Sequence, residues 1–197
     1  MPTKIISGFF PKYKLHKVCE DDEFRPVMGY LYFKNGKVYA TDAYIAIAAP
    51  LSFVSTFSDE EQKLLDGKLI HATQFAQLLT MRETKIELFE GKLCFVCTNR
   101  ENGQVIFPLL DEDVTGRFPN VGAVIEEAKE YAKNCKQPVS HAGLNISLLV
   151  NLAAAMGARI VDLYFSSSSK AIVVEDGDGG NEIGAIIMPL IIQNPKY

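Results

Sequence analysis

The chain has no apolar run long enough to cross a bilayer, few cysteines, and none of the common catalytic signatures. Its longest apolar stretch, Ile183 to Ile192, is broken by Gly184 and Pro189, whereas a membrane span needs about 20 predominantly apolar residues. The opening MPTKIISGFFPKYK has an early lysine but no sustained apolar stretch ending at a small-residue cleavage site. A cytoplasmic protein without membrane contact is therefore expected. The four cysteines, Cys19, Cys94, Cys97 and Cys135, are expected to stay reduced there. Cys94 and Cys97 form a CxxC, but LCFVCT reads as a strand, in which residues three apart point to opposite faces. No second CxxC and no nearby histidine completes a zinc site, so neither metal nor cofactor is expected.

P-loop, GxGxxG, GxSxG and HExxH patterns are all missing. The acidic runs Glu20-Asp21-Asp22-Glu23 and Asp111-Glu112-Asp113 sit in hydrophilic, turn-like stretches and read as solvated loops. Carboxylates suit Mg²⁺, but nothing else in either run builds a site. Asp42, at the end of a strand, is expected to bond the amides of its own turn. GDGG at 177–180 precedes no helix and reads as a hairpin loop. An enzyme is accordingly not expected. The formal net charge of −4 speaks against a surface that grips nucleic acid all over; a local basic stripe stays open.

What the chain does have is an order of elements that recurs. Its 197 residues suffice for one large domain or two small ones. In the middle copy, Lys68 to Ile70 reads as a short strand. Thr73 to Arg82 reads as a helix capped by Thr73, with Phe75, Leu78 and Leu79 on one face. TKIELF and LCFVCT alternate on either side of Glu90-Gly91, Asn102-Gly103 signals a hairpin, and QVIFPLL closes the copy.

The last copy follows the same order. PVSHAGL leads to Asn145 as an N-cap; Ile146, Leu149, Val150, Ala153 and Met156 line one helical face, and Gly157 stands where the helix stops. RIVDLYF, KAIVVED and EIGAIIMPLII follow as strands, and IFPLL (106–110) matches IMPLI (187–191). The helical phase fits an offset of 71, pairing Phe75 with Ile146 and Leu78 with Leu149. His71 and His141, matched at an offset of 70, are read as coincidence and given no catalytic role. The first copy offers strands around Asn35-Gly36 and one ending at Pro50-Leu51. Upstream, KLHKVCEDDEF has no 3.6-residue apolar stripe, so only two of the three copies carry a helix.

The expected fold class is α+β: repeated strand-helix-three-strand half-units with antiparallel sheets. Such a unit resembles the building block of DNA sliding clamps, and specifically the bacterial clamp, the β subunit of the replicative polymerase. VYATDAYIAIAAPLS (38–52) resembles that family's "aTDghRla" segment and TGRFPNVGAVI (115–125) its "dGrFPdy..vi" segment. GLNISLLVNLAAAMGARIVDLYF with AIIMPLI resembles its last helix, next strand and C-terminal "vMPmr" strand. The resemblance implies residues 1–125 as a clamp-like domain of two half-units, the first without its helix. Residues 126–197 would be a third half-unit of an incomplete second domain.

The resemblance further implies an arc whose helices face duplex DNA, with Arg82 and Arg159 at the helix ends toward the phosphates. It implies an apolar groove for peptides of polymerases or repair proteins, lined by Thr41, Ala43, Tyr44, Ile45, Pro119, Val124, Ile186, Met188, Pro189 and Leu190. A flexible methionine suits such a groove. Ala43-Tyr44-Ile45 replaces the family's Gly-His-Arg, making the groove greasier, and Val121 replaces an aromatic. VGAVIEEAKEYAKNC (121–135) shows a helical stripe of Val124, Ala128, Tyr131 and Cys135 where the family has an extended linker.

The expected function is a sliding-clamp-like, non-catalytic scaffold or processivity factor that works at DNA as a homo-oligomer. The rival is a clamp-fold module that binds proteins or itself and no longer binds DNA. The helices favour the rival, since Gln, Thr, Ser, Asn and Ala would face the duplex. Lys129, Lys133 and Lys136 are interleaved with Glu126, Glu127 and Glu130 and read as a solvated face.

Overall fold

The computed structural model describes residues 8–112, 116–135, 142–179 and 182–190. Lys136, His141, Asp113, Thr115, Gly180 and the first half of PVSHAGL lie outside them, as does Ile191.

Three hairpin-linked strands form the first unit: β1 (Tyr30–Lys34), β2 (Lys37–Thr41) and β3 (Ile45–Pro50). Asn35 and Gly36 both take positive φ, 50° and 70°, the conformation that Asn-Gly accepts in a two-residue hairpin. The helix missing from this unit is replaced by a single 3₁₀ turn, Leu15–Val18, with Leu15 and Val18 fully buried. Two short helices follow β3: α1 (Leu51–Val54) and α2 (Asp59–Leu64). In α2 the Ser58 hydroxyl accepts from Glu61 N and the Glu61 carboxylate accepts from Ser58 N, a capping box.

The second unit comprises β4 (Lys68–His71), α3 (Ala72–Leu78), β5 (Glu83–Phe89), β6 (Lys92–Thr98), β7 (Gln104–Pro108) and the two-residue β8 (Leu110–Asp111). Thr73 does not cap α3. The N-cap is His71, whose Nδ1 accepts from Thr73 N at 3.3 Å, so the helix starts one residue before the expected one and stops at Leu78. Helix α4 (Val121–Asn134) then leads toward the third unit: α5 (Ile146–Met156), β9 (Val161–Tyr164), β10 (Ile172–Asp176) and β11 (Gly184–Ile187). Asn145 caps α5 and Gly157 ends it in the left-handed region, φ 67°.

The strands make an antiparallel eight-stranded sheet, β8-β4-β1-β2-β3-β11-β10-β9, and a three-stranded sheet, β5-β6-β7. The large sheet runs through all three units: β4 of the second pairs with β1 of the first, and β3 of the first with β11 of the third. One face carries the main core, with Phe33, Phe75, Phe95, Leu15, Ile47 and Leu152 fully buried, each contributing about 1.5–3 kcal/mol. The other face is covered by α4 through Val121, Ile125 and Ala128.

Several expected phases shift. In α4 the buried stripe is Val121, Ile125 and Ala128, whereas Val124 and Tyr131 are exposed. In α5 it is Leu152, Ala155 and Met156, while Ile146 and Val150 are exposed. Aligning the helices on their N-caps, His71 and Asn145, gives an offset of 74 rather than 71, matching Phe75 with Leu149 and Leu78 with Leu152. The IFPLL and IMPLI match does not keep one face either: Ile106 is half-buried and Ile187 is in the main core. Residues 125 and 126 both lie inside α4. Cys94 lies opposite Glu87 and Pro108, and Cys97 opposite Thr84 and Val105, so the two sulfurs leave β6 on opposite faces.

Candidate functional site

The turn between β2 and β3 is fixed by its own polar side chains. Asp42, buried, accepts at one carboxylate oxygen from Tyr44 N and Ile45 N, both at 2.7 Å. Thr41 Oγ1 donates to Ile45 O at 2.8 Å and accepts from Ala43 N at 3.0 Å. These bonds hold Ala43 at φ 75°, a left-handed conformation that a residue with a Cβ adopts at a cost. The end of β11 is tied to the same turn, since Met188 N donates to Tyr44 O at 2.8 Å.

A groove of about 190 Å³ opens beside this turn, lined by Met28, Thr41, Ala43, Tyr44, Ile45, Ala46, Pro119, Val121, Val124, Ile186 and Met188. Eight of the ten residues expected at a groove meet here: Thr41, Ala43, Tyr44, Ile45, Pro119, Val124, Ile186 and Met188. Pro189 and Leu190 follow along the chain but do not line it. Met28, Ala46 and Val121 line it without having been expected. The walls come from the first unit, α4 and the third unit, and Tyr44, Val124 and Met188 stand exposed at the rim. An apolar cavity of about 150 Å³ admits a benzene ring, so this one has room for a single large apolar side chain.

The neighbouring depression of about 490 Å³ is wider and more polar, with Lys34, Arg117, Tyr39 and Glu112 in its wall. Glu112 is engaged there: Tyr32 Oη donates to it at 2.9 Å and Phe118 N at 3.2 Å.

The helix side of the molecule differs from the expected one. Arg159 is exposed two residues past Gly157, which ends α5. Arg82 is half-buried, its Nε enclosed and without a hydrogen-bond partner among the described residues. The 3₁₀ turn Leu15–Val18 packs against both α3 and α5, and Lys14 N donates to Ala154 O of α5 at 3.1 Å. Lys12, Lys14 and Lys17 are all exposed on this segment. KYKLHK (12–17) was thus the basic stripe in the sequence. Helical periodicity does not point to it, because this segment forms no α-helix.

His16, within the same segment, has its pKa held below the ordinary value of 6.5, first by burial and then by Lys17 and Lys14. Burial pushes the Cys19 thiol far up, with Asp42 and Asp21 adding to the rise; a neutral thiol of this kind is no nucleophile. His71 Nε2 meets Asp21 Oδ1 at 3.0 Å and Nδ1 meets Thr73 Oγ1 at 2.8 Å. Because Nδ1 also accepts from Thr73 N, this is a helix cap held by a carboxylate. Among the described residues no group of three or more His, Cys, Asp or Glu is arranged to hold a metal.

No protein-family model matches the chain, and no curated protein does. Solved structures do. The DNA polymerase sliding clamp of Pseudomonas aeruginosa superposes with a TM-score of 0.56 at 14% identity, over 94% of this chain and 66% of that one. The sliding clamp of Bartonella birtlesii bound to griselimycin gives 0.57 at 15% identity, over 98% and 68%. The Bacillus subtilis clamp gives 0.57 at 10% identity, over 95% and 64%. The chain spans about two thirds of the length of these clamps. With three repeated units built on antiparallel sheets, α3 and α5 on one face of the large sheet and α4 on the other, the chain has the fold of the bacterial β sliding clamps in a shortened form.

Proposed function

We propose that the protein is a clamp-like, non-catalytic scaffold that lies along duplex DNA through its helix side and takes a short apolar peptide in the groove at Thr41–Ile45. The observation that carries the reading is the position of Lys12, Lys14 and Lys17. They are exposed on a segment wedged between α3 and α5, the side that would face a duplex in an arc of such units. Cations there track phosphates without reading bases. Arg159 would extend the stripe from the end of α5; half-buried Arg82 is less suited to it.

The groove supports the second half of the reading. It is apolar, it has a methionine at its rim, and its turn is fixed by Asp42 before any ligand arrives, which lowers the ordering cost of binding. Polymerase or repair-protein peptides are the partners proposed. Residues 1–125 are read as the two-unit domain and 126–197 as the third unit of an incomplete second one, with a homo-oligomer completing the arc. The test is titration of a labelled duplex at several salt concentrations. Absence of binding at low salt would leave only the rival, a clamp-fold module for proteins or for itself.

A further inference from the structure

We infer that the apolar groove continues past Pro119 into the polar depression beside it, and that its peptide carries an acidic side chain about two residues from the apolar anchor, held by Arg117 and Lys34. The inference rests on the groove proposed above and names the chemistry of the partner that fits it.

The two hollows adjoin. Pro119 and Val121 line both the groove of about 190 Å³ and the depression of about 490 Å³. Along β2 they follow in step, since Thr41 lines the groove and Tyr39 the depression. Residues two apart on a strand share a face and stand about 7 Å from each other. The first unit's other segment keeps the same order, with Met28 at the groove and Tyr32 and Lys34 of β1 at the depression. An extended peptide anchored at Thr41–Ile45 and running along β2 therefore enters the depression about two residues later.

The depression favours a negative charge. Its wall has two cations, Lys34 and Arg117, against one carboxylate, Glu112. Glu112 is already engaged by Tyr32 Oη and Phe118 N. Lys34 shares its charge with Asp66, 2.9 Å away and outside the wall. Arg117 is exposed and belongs to none of the ion pairs among the described residues. Tyr39 adds a hydroxyl, and the 14-residue α4 begins on the same wall at Val121, where the helix dipole adds to the attraction for an anion. The buried rings of Tyr32 and Phe118 stack at 5.0 Å and fix this wall in the free protein. The groove itself has no charged residue in its lining, so selection by charge falls to the depression. Both hollows lie on the α4 face of the large sheet, away from Lys12, Lys14 and Lys17 beside α3 and α5. Duplex binding is thus a control for changes made here.

The test is fluorescence anisotropy with three labelled heptapeptides that share a central phenylalanine. They differ at the second residue on either side of it, which is glutamate, glutamine or lysine. The symmetric placement makes the result independent of chain direction. The full chain is expected to bind the glutamate peptide about three- to fivefold more tightly than the glutamine peptide, the upper range for an ion pair near the surface. That preference shrinks as salt rises, and the lysine peptide binds weakest. Arg117→Glu, at an exposed position, is expected to place lysine above glutamate, while the glutamine peptide and duplex DNA bind as to the wild type. Equal binding of the glutamate and glutamine peptides, or an order unchanged by Arg117→Glu, would overturn the inference and leave the groove standing. Binding of none of the three would overturn the groove itself, and the inference with it.

Discussion

Replacing Lys12, Lys14 and Lys17 together by alanine tests the helix side directly, and the size of the effect follows from counterion release. If these three lysines and Arg159 are the cations that meet phosphates, four counterions leave the duplex on binding. The slope of log K against log salt is then about −3.6, at about −0.9 per contact. Between 50 and 200 mM salt, affinity would fall by about 150-fold, since fourfold more salt is raised to that power. The triple variant keeps Arg159 alone, for a slope of about −0.9 and a loss of only about 3.5-fold over the same interval. Fluorescence anisotropy of a labelled duplex, read at several salt concentrations, separates the two lines. The fold should not be at issue, because the lysine side chains are exposed and the buried anchors of the segment, Leu15 and Val18, are untouched. Equal slopes for wild type and variant would refute the assignment of the stripe, even if DNA were bound by some other surface.

The remaining expectations concern the groove, its turn and the half-buried His16. Met188→Glu places a charge at the apolar rim and is expected to weaken capture of a short apolar peptide at least about tenfold, given the cost of desolvating an unpaired carboxylate. Duplex binding should stay as in the wild type, so a variant that loses both has lost its fold. Ala43→Gly relieves the left-handed strain at φ 75° but frees the unfolded chain, for a net gain of about 0.5–1 kcal/mol. A rise of about 1–4 °C in the melting temperature is the readout, and a fall would mean that Ala43 packs more tightly than its exposure suggests. His16 has a folded pKa below 6.5, so the unfolded state binds more protons as pH falls through that interval. Stability is therefore full above 6.5 and declines as pH drops toward the lowered folded value. His16→Gln should flatten this part of the urea-midpoint profile; an unchanged profile would place the titrating group elsewhere.

Much of the fold was legible because its signals are local. Asn35-Gly36 and Glu90-Gly91 need only their own positive φ values to turn a hairpin. Asn145 and Gly157 mark the ends of α5 by capping alone. Eight groove residues were legible through a resemblance, which carries spatial information that spacing does not. The phases of α4 and α5 were not legible, because periodicity shows that a stripe exists but not which neighbour it meets. Val124 and Tyr131 were expected inside α4's stripe, yet the sheet takes Val121, Ile125 and Ala128. In α5 Met156 of the expected face is buried, but Ile146 and Val150 of the same face are left open. Helix α2 was missed although Ser58 and Glu61 spell out its capping box; six residues are too few to show a period.

The loss of the first helix is what gives the helix side its charge. A full helix at residues 12–18 would hold its neighbours about 8–10 Å from its axis, whereas a single 3₁₀ turn lets α5 come into backbone contact. Lys14 N donates to Ala154 O, and a Cβ at Gly157 would stand 3.2 Å from Lys12 O. Gly157 therefore serves two ends: it accepts the left-handed φ that stops α5, and it lets residues 12–14 pass close by. The third unit is then joined to the first twice, through this backbone contact on the helix side and through β3–β11 in the sheet. Leu15 and Val18 fill the core from the turn while Lys14 and Lys17 alternate outward. Within five residues the segment thus supplies both the packing that a helix would have given and cations that α3 and α5 lack.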